Sequence, residues 1–146
     1  MATIIREELL KEFGFWSTVL VVKILMMAVL TARQRFAKKV FANPEDRMDK
    51  SSKITTEDPD VERVRRAHQN DLENILPWFV MTLIWLTTGP SKFLAVTLIR
   101  TFTFSRIIHT IAYAIFAVQP YRAIAFFVGY GITIYEAIST LIYYSA

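Results

Sequence analysis

Four side chains able to hold a small anionic molecule recur at helical spacing in the middle of the chain. Arg63, Arg66, Asn70 and Glu73 stand at i, i+3, i+7 and i+10, which places them within an arc of about 80° on one helix face. By the same arithmetic Arg106, His109 and Tyr113, at i, i+3 and i+7, form a second polar stripe. Guanidinium groups grip carboxylates and phosphates through charge-assisted hydrogen bonds. An amide and an imidazole add neutral partners, and a carboxylate answers an ammonium. The chemistry offered is recognition of an anion rather than nucleophilic attack by the protein. With no cysteine among 146 residues there is no thiolate, no disulfide framework and no thiolate metal site. His68 and His109 are the only histidines, and they form no metal-ligand pattern, so no metal is expected.

The elements that must position these groups belong to a membrane protein. Hydrophobic residues make up 53% of the chain, too many for an ordinary small soluble domain. Stretches near the ~20 residues a helix needs to cross a bilayer begin at Phe13, Leu72, Phe93 and Ala123. The reading is an all-α membrane protein, a four-transmembrane-helix bundle in one domain, residues 1–146. Its helices are expected over about 10–37, 60–89, 92–118 and 121–145, with a polar loop over about 38–59. Asp58-Pro59-Asp60 suits the start of the second helix, with proline in the first turn and acids at the positive helix end. Gly89-Pro90 and Gln119-Pro120 read as turns. The first apolar run lacks a small-residue cleavage site and reads as a retained anchor.

Charge sets the orientation. Of 17 Lys and Arg, ten lie between Arg33 and Arg66, so this loop is placed in the cytosol with both termini across the membrane. The net charge of +4 is then a membrane signature, and nucleic acid is not an expected partner, because no aromatic-interleaved basic motif accompanies it. In this topology Arg35 closes the first helix, Arg122 opens the fourth, and the two polar stripes lie at similar depth. One reading is a cytosol-facing pocket for an anionic ligand beside a lipophilic one drawn from membrane lipid. The other has Arg66 and Glu73 satisfying one another while the end-of-helix arginines act as anchors. Deeper in the membrane, Lys23 and Glu136 fall about 18 and 21 Å below the surface groups, at 1.5 Å per residue, and are expected to form a buried ion pair. Gly129 and Gly131 are expected to allow close helix approach.

Four segments carry a resemblance: Val40-Phe-Ala-Asn-Pro-Glu-Asp46, Val61-Glu-Arg-Val-Arg-Arg-Ala-His-Gln-Asn-Asp-Leu-Glu73, Arg106-Ile-Ile-His-Thr-Ile-Ala-Tyr113 and Arg122-Ala-Ile-Ala-Phe-Phe-Val-Gly-Tyr-Gly131. Together they closely resemble the MAPEG family, the membrane-associated proteins of eicosanoid and glutathione metabolism. The resemblance implies a homotrimer that binds glutathione as cosubstrate between neighbouring subunits. It implies the endoplasmic reticulum membrane, with the outer mitochondrial membrane as a second location, and a site facing the cytosol. Matched by motif, Arg35, Arg65, Arg66, His68, Asn70, Glu73, Arg106, Tyr113 and Arg122 look like the glutathione positions, with His109 as a hydrogen-bonding wall. Arg122 looks like the residue that stabilises the glutathione thiolate, and Tyr113 like its hydrogen-bond donor.

The implied reaction is glutathione transfer to a lipophilic electrophile, with reduction of a lipid hydroperoxide beside it. Phe126 to Gly131, and Arg100 six residues before Arg106, resemble the transferases of the family. The prostaglandin E synthases typically have serine where Ala123 stands and arginine where Gln69 stands. Asp58 to Arg63 and Ser17 to Lys23 resemble the synthases, so isomerisation of prostaglandin H2 stays open as an alternative. A non-enzymatic membrane adaptor, holding anionic lipid through the basic loop, is the alternative of another class.

Overall fold

The structure is a computed structural model and describes residues 4–146. Four helices dominate it: α1 over Glu7–Lys38, α2 over Pro59–Leu86, α3 over Lys92–Thr110 and α4 over Tyr121–Ser145. Each boundary has a local cause. Glu7 and Glu8 occupy the first turn of α1, Arg35 and Lys38 its last, matching the helix dipole. Lys39 ends α1 in the left-handed region, at φ 52°. Asp58 caps α2 by accepting from the backbone N–H groups of Asp60 and Val61, both at 3.1 Å, and Ser91 caps α3 by accepting from the N–H of Leu94 at 3.3 Å. After Thr110 the third helix loosens into a π-helical stretch, Ile111–Ile115, and does not continue to 118 as expected.

The polar loop is more ordered than its composition suggests. Val40–Phe41 (β1) and Lys53–Ile54 (β2) pair in parallel, with Val40 and Phe41 buried, and Pro44–Asp46 forms a single 3₁₀ turn. Asp49 gathers the crossover by accepting from Ser51, Ser52 and Lys39. These bonds, that from Ser51 first, hold its carboxyl far below the usual carboxylate range. At the mouth of the loop Lys38 reaches Asp60 at 2.5 Å.

Going round the bundle the order is α1, α2, α4, α3. The helix α1 packs on α2 and α3, and α4 packs on α3 and α2, which leaves α2 and α3 facing each other across a diagonal. Three apolar layers fill the interior. The central one joins Leu20, Ile75, Trp78, Ile99, Phe102 and Ile132 from all four helices, with Trp78 stacked on Phe102 at 4.3 Å. A second layer of Leu9, Trp85, Leu86 and Ala95 lies towards the start of α1. A third, of Met27, Val64, Ala67 and Ala114, lies towards the polar loop.

Outside these layers the helices expose many large apolar side chains. The helices α1 and α4 are long and apolar enough to cross a membrane by length and composition, and only 11% of the most apolar stretch of α1 is buried. A soluble core helix would bury most of that stretch. The helices α2 and α3 do not meet the same measure of length and apolarity, because each carries several charges.

Two sequence expectations are corrected here. Lys23 does not meet Glu136. Its partner is Asp71 of α2, while Glu136 accepts a 2.6 Å hydrogen bond from Thr82. Similar depth was not enough, since α1 lies against α2 and not against α4. The two glycines of α4 also differ. A Cβ at Gly129 would come within 2.8 Å of Ser105 Oγ and 3.5 Å of Arg106 Cδ, whereas one at Gly131 would meet nothing within 4 Å. Only Gly129 brings α3 and α4 together. Gly129→Val should therefore lose about 1–3 kcal/mol through overpacking, and Gly131→Val about 0.5 kcal/mol or less. Thermal unfolding of both variants in detergent micelles checks the contrast.

Candidate functional site

A carboxylate in an apolar interior needs partners. Asp71 lies on the buried face of α2 among Val64, Ala67, Ile75 and Trp78, fully shielded. Arg106 of α3, equally buried, donates to it from Nη2 at 2.8 Å across the diagonal of the bundle. Lys23 of α1 pairs with its other oxygen, and Thr110 donates to that oxygen at 3.3 Å. This charged group sits between the central apolar layer and the layer nearer the loop.

From Arg106 the polar contacts run outward. Its Nη2 also donates to the side-chain oxygen of Asn70 at 2.7 Å and stands 3.4 Å from Nδ1 of His109. The His109 ring meets Tyr113 edge to face, with centroids 5.6 Å apart. Tyr113, in the π-helical stretch, lies beneath the guanidinium of Arg122, whose Cζ is 4.4 Å from the ring centroid, a cation–π contact. The Gln119 amide, oriented with its oxygen towards Arg122, accepts from Nη2 at 2.6 Å and Nε at 3.1 Å. A π-helical turn offsets the side chains that follow it, and here it places Tyr113 opposite the first turn of α4.

Arg106 itself is fully buried and lines no hollow, but its neighbours open onto a cleft of about 280 Å³ lined by Asn70, His109, Tyr113, Gln119, Arg122, Ala123, Phe126 and Phe127. One end presents a guanidinium, an amide and an imidazole. The other is aromatic, with Phe126 stacked on Tyr130 at 5.5 Å. Such a cleft suits an anionic head beside an apolar partner.

The remaining predicted residues lie elsewhere. Arg65, Arg66 and His68 line a separate groove of about 330 Å³ on α2, together with Glu62, Gln69 and Leu72. Arg65 is held there by Glu62 at 2.8 Å, and Glu73 accepts from Gln69 at 3.1 Å, so Glu73 and Arg66 do not satisfy one another. Arg63 turns back to Asp60 at 3.1 Å. Arg35 is half-buried near the end of α1 and lines neither hollow. The cleft and the groove have no residue in common, so the single pocket expected from the sequence is two separate hollows in one chain.

Several participants are not named as site residues from the sequence. Gln119 reads there only as part of a turn, and Ala123, Phe126 and Phe127 only as part of the segment that carries the family resemblance. Asp71 has a signal of its own: it is the one charged residue among the buried positions of α2, and a carboxylate on an apolar stripe marks itself. Arg100, set apart in the sequence, ties α3 to α1 through Glu12 at 2.5 Å, and Glu12 also accepts from Trp16 at 2.8 Å.

Known proteins share this sequence closely. The model of the MAPEG family matches residues 13–142. Microsomal glutathione S-transferase 1 of Homo sapiens is 41% identical over 139 residues, covering 92% of this chain and 90% of that protein. The Mus musculus protein of the same name is 45% identical over 132 residues, covering 87% and 85%. Prostaglandin E synthase of Homo sapiens is 37% identical over 118 residues, covering 80% and 78%.

The buried charges yield a stability contrast. Removing one partner of a buried ion pair strands the other and costs about 3–5 kcal/mol, whereas an exposed pair contributes about 0–1 kcal/mol. Lys23→Met, which leaves Asp71 short of a partner, should lower the unfolding midpoint far more than Lys92→Met, which breaks the exposed 2.7 Å pair with Glu8. Parallel thermal melts of the two variants check this.

Proposed function

The chain belongs to the MAPEG family, and on that premise we propose that it is a glutathione transferase of the membrane, joining the glutathione thiolate to lipophilic electrophiles. The observation that carries the reading is Arg122. It is held by Gln119 on one side and the Tyr113 ring on the other, at a cleft whose far wall is Phe126 and Phe127.

Glutathione combines carboxylates, an ammonium and a thiol. An unassisted thiol has a pKa of about 8.5, and the thiolate is the nucleophile. A guanidinium held in place lowers that value, each unit being worth about 1.4 kcal/mol. Arg122 supplies this charge, and the Tyr113 hydroxyl serves as a hydrogen-bond donor to the sulfur. The thiol proton leaves to water at the cytosolic mouth. The sulfur then forms a bond to the electrophilic carbon, and the leaving group departs with its electron pair. With a lipid hydroperoxide the thiolate instead takes one oxygen as the O–O bond breaks, releasing the alcohol. A second glutathione converts the sulfenic acid to disulfide and water. The apolar walls admit either partner laterally from the bilayer.

All four helices cross the membrane in this reading, with the cleft facing the cytosol from the endoplasmic reticulum. The chain works as a homotrimer. Arg65, Arg66, His68 and Glu73 hold the peptide part of glutathione from one copy, while Asn70, His109, Tyr113 and Arg122 of a neighbour face its thiol, with the buried Arg106 behind Asn70 and His109. The separation of groove and cleft within one chain supports a site completed by a second copy.

Membranes bearing the protein should conjugate glutathione to a chlorinated nitrobenzene and reduce a lipid hydroperoxide, with prostaglandin H2 a poor substrate. No conjugation, or isomerisation as the only activity, would overturn the reading. Arg66→Ala and Arg122→Ala should each lose at least about tenfold in kcat/KM. Co-expressed, the two variants should regain part of the activity, because mixed trimers contain some intact sites. Equal loss with no recovery would place the whole site within one chain.

A further inference from the structure

The geometry points to Asp71 as a positioning residue that never touches ligand: it fixes Arg106, and Arg106 in turn presents Asn70 and His109 to the cleft as hydrogen-bond donors. This rests on the glutathione reading for the identity of the ligand and on the buried contacts for the rest.

A guanidinium carries only donors. Nη2 of Arg106 lies 2.7 Å from Asn70 Oδ1, so the amide oxygen of Asn70 is engaged within the protein. The NH₂ group is the remaining polar end of a side chain that lines the cleft. Nη2 also lies 3.4 Å from Nδ1 of His109. The two protons of Nη2 are directed to Asp71 and Asn70, so Nδ1 receives no full hydrogen bond. The guanidinium charge still attracts a lone pair and repels an N–H at this distance, which leaves Nδ1 bare and puts the proton of the neutral imidazole on Nε2. Asn70 and His109 therefore both donate into the cleft, which suits a ligand rich in carboxylates and carbonyls.

Arg106 cannot set these orientations unless it is itself held. Its Nε and Nη1 are buried and find no hydrogen-bond partner among the described residues, so Asp71 supplies the only charged bond that fixes the group. Asp71 is anchored from behind by Lys23 and Thr110. The unit relays orientation from α2 and α3 to the cleft, and Lys23, on the carboxylate oxygen that Arg106 does not use, serves it by stability.

The test uses the full-length chain in lipid nanodiscs, as Asp71→Ala and as Asp71→Ala with Lys23→Met, the second preventing a stranded buried lysine from unfolding the protein. Histidine ¹⁵N resonances, with that of His109 identified by its loss in His109→Gln, report the tautomer without any ligand. Calorimetric titration reports glutathione binding. The wild type should carry the His109 proton on Nε2. The Asp71 variants should show mixed tautomers and a glutathione Kd weakened about tenfold or more, while Lys23→Met alone, once folded, stays within about twofold. A wild-type His109 protonated at Nδ1 overturns the inference, as does a folded double variant with wild-type tautomer and Kd. If the wild type shows the Nε2 tautomer and the Asp71 variants lose it while glutathione never binds, the positioning stands and the glutathione reading fails.

Discussion

A carboxylate in the apolar interior of a four-helix bundle is tolerated only if it is paired, and Asp71 is paired from two directions. Arg106 approaches from α3, Lys23 from α1, and Thr110 adds a hydroxyl. The helices α2 and α3 stand on a diagonal of the bundle, and the Asp71–Arg106 bond joins them there beside the Trp78–Phe102 stack of the central layer. Its apolar surroundings, with Val64 and Ala67 on one side and Ile75 on the other, exclude water and make the loss of either partner costly. A hydrophobic cluster of the same shape would hold the helices equally well. A charged one also fixes the rotation of each helix about its own axis.

That rotation is what the cleft requires. Asn70 and His109 lie one and three residues from members of the buried group, and Tyr113 follows His109 into the π-helical turn that carries it beneath Arg122. The site thus grows outward from the core through short polar contacts, and its cationic end depends on α3 and α4 meeting closely. Gly129 permits that approach, its missing Cβ leaving room for Ser105 and the stem of Arg106. Binding and packing use the same residues here, which is why a single buried arginine serves both.

Much of this was legible in the residue pattern. The four helices follow from apolar run lengths, the α2 start from Asp58-Pro59, and the grouping of Asn70, His109, Tyr113 and Arg122 from spacing and topology together. The rest was hidden for physical reasons. Spacing locates a residue on its own helix and says little about which neighbouring helix it faces, so Lys23 was matched by depth to Glu136 when Asp71 stood nearer on the adjacent helix. The 80° arc that groups Arg66 with Asn70 is real, yet Asn70 lines the cleft and Arg66 the groove. The strand pair inside the polar loop escaped because two-residue strands leave no periodicity. Membership of the MAPEG family was legible from four short segments, and it covers nearly the whole chain.

The central claim is that Arg122 turns bound glutathione into a thiolate, and ultraviolet absorbance of the thiolate reads this directly. Glutathione would be mixed with the wild-type protein and with Arg122→Ala, at a pH where the free thiol stays protonated. The account predicts a thiolate signal with proton release in the wild type, and its loss in Arg122→Ala even though glutathione still binds. Binding without thiolate in the wild type, or the same thiolate in Arg122→Ala, would contradict it.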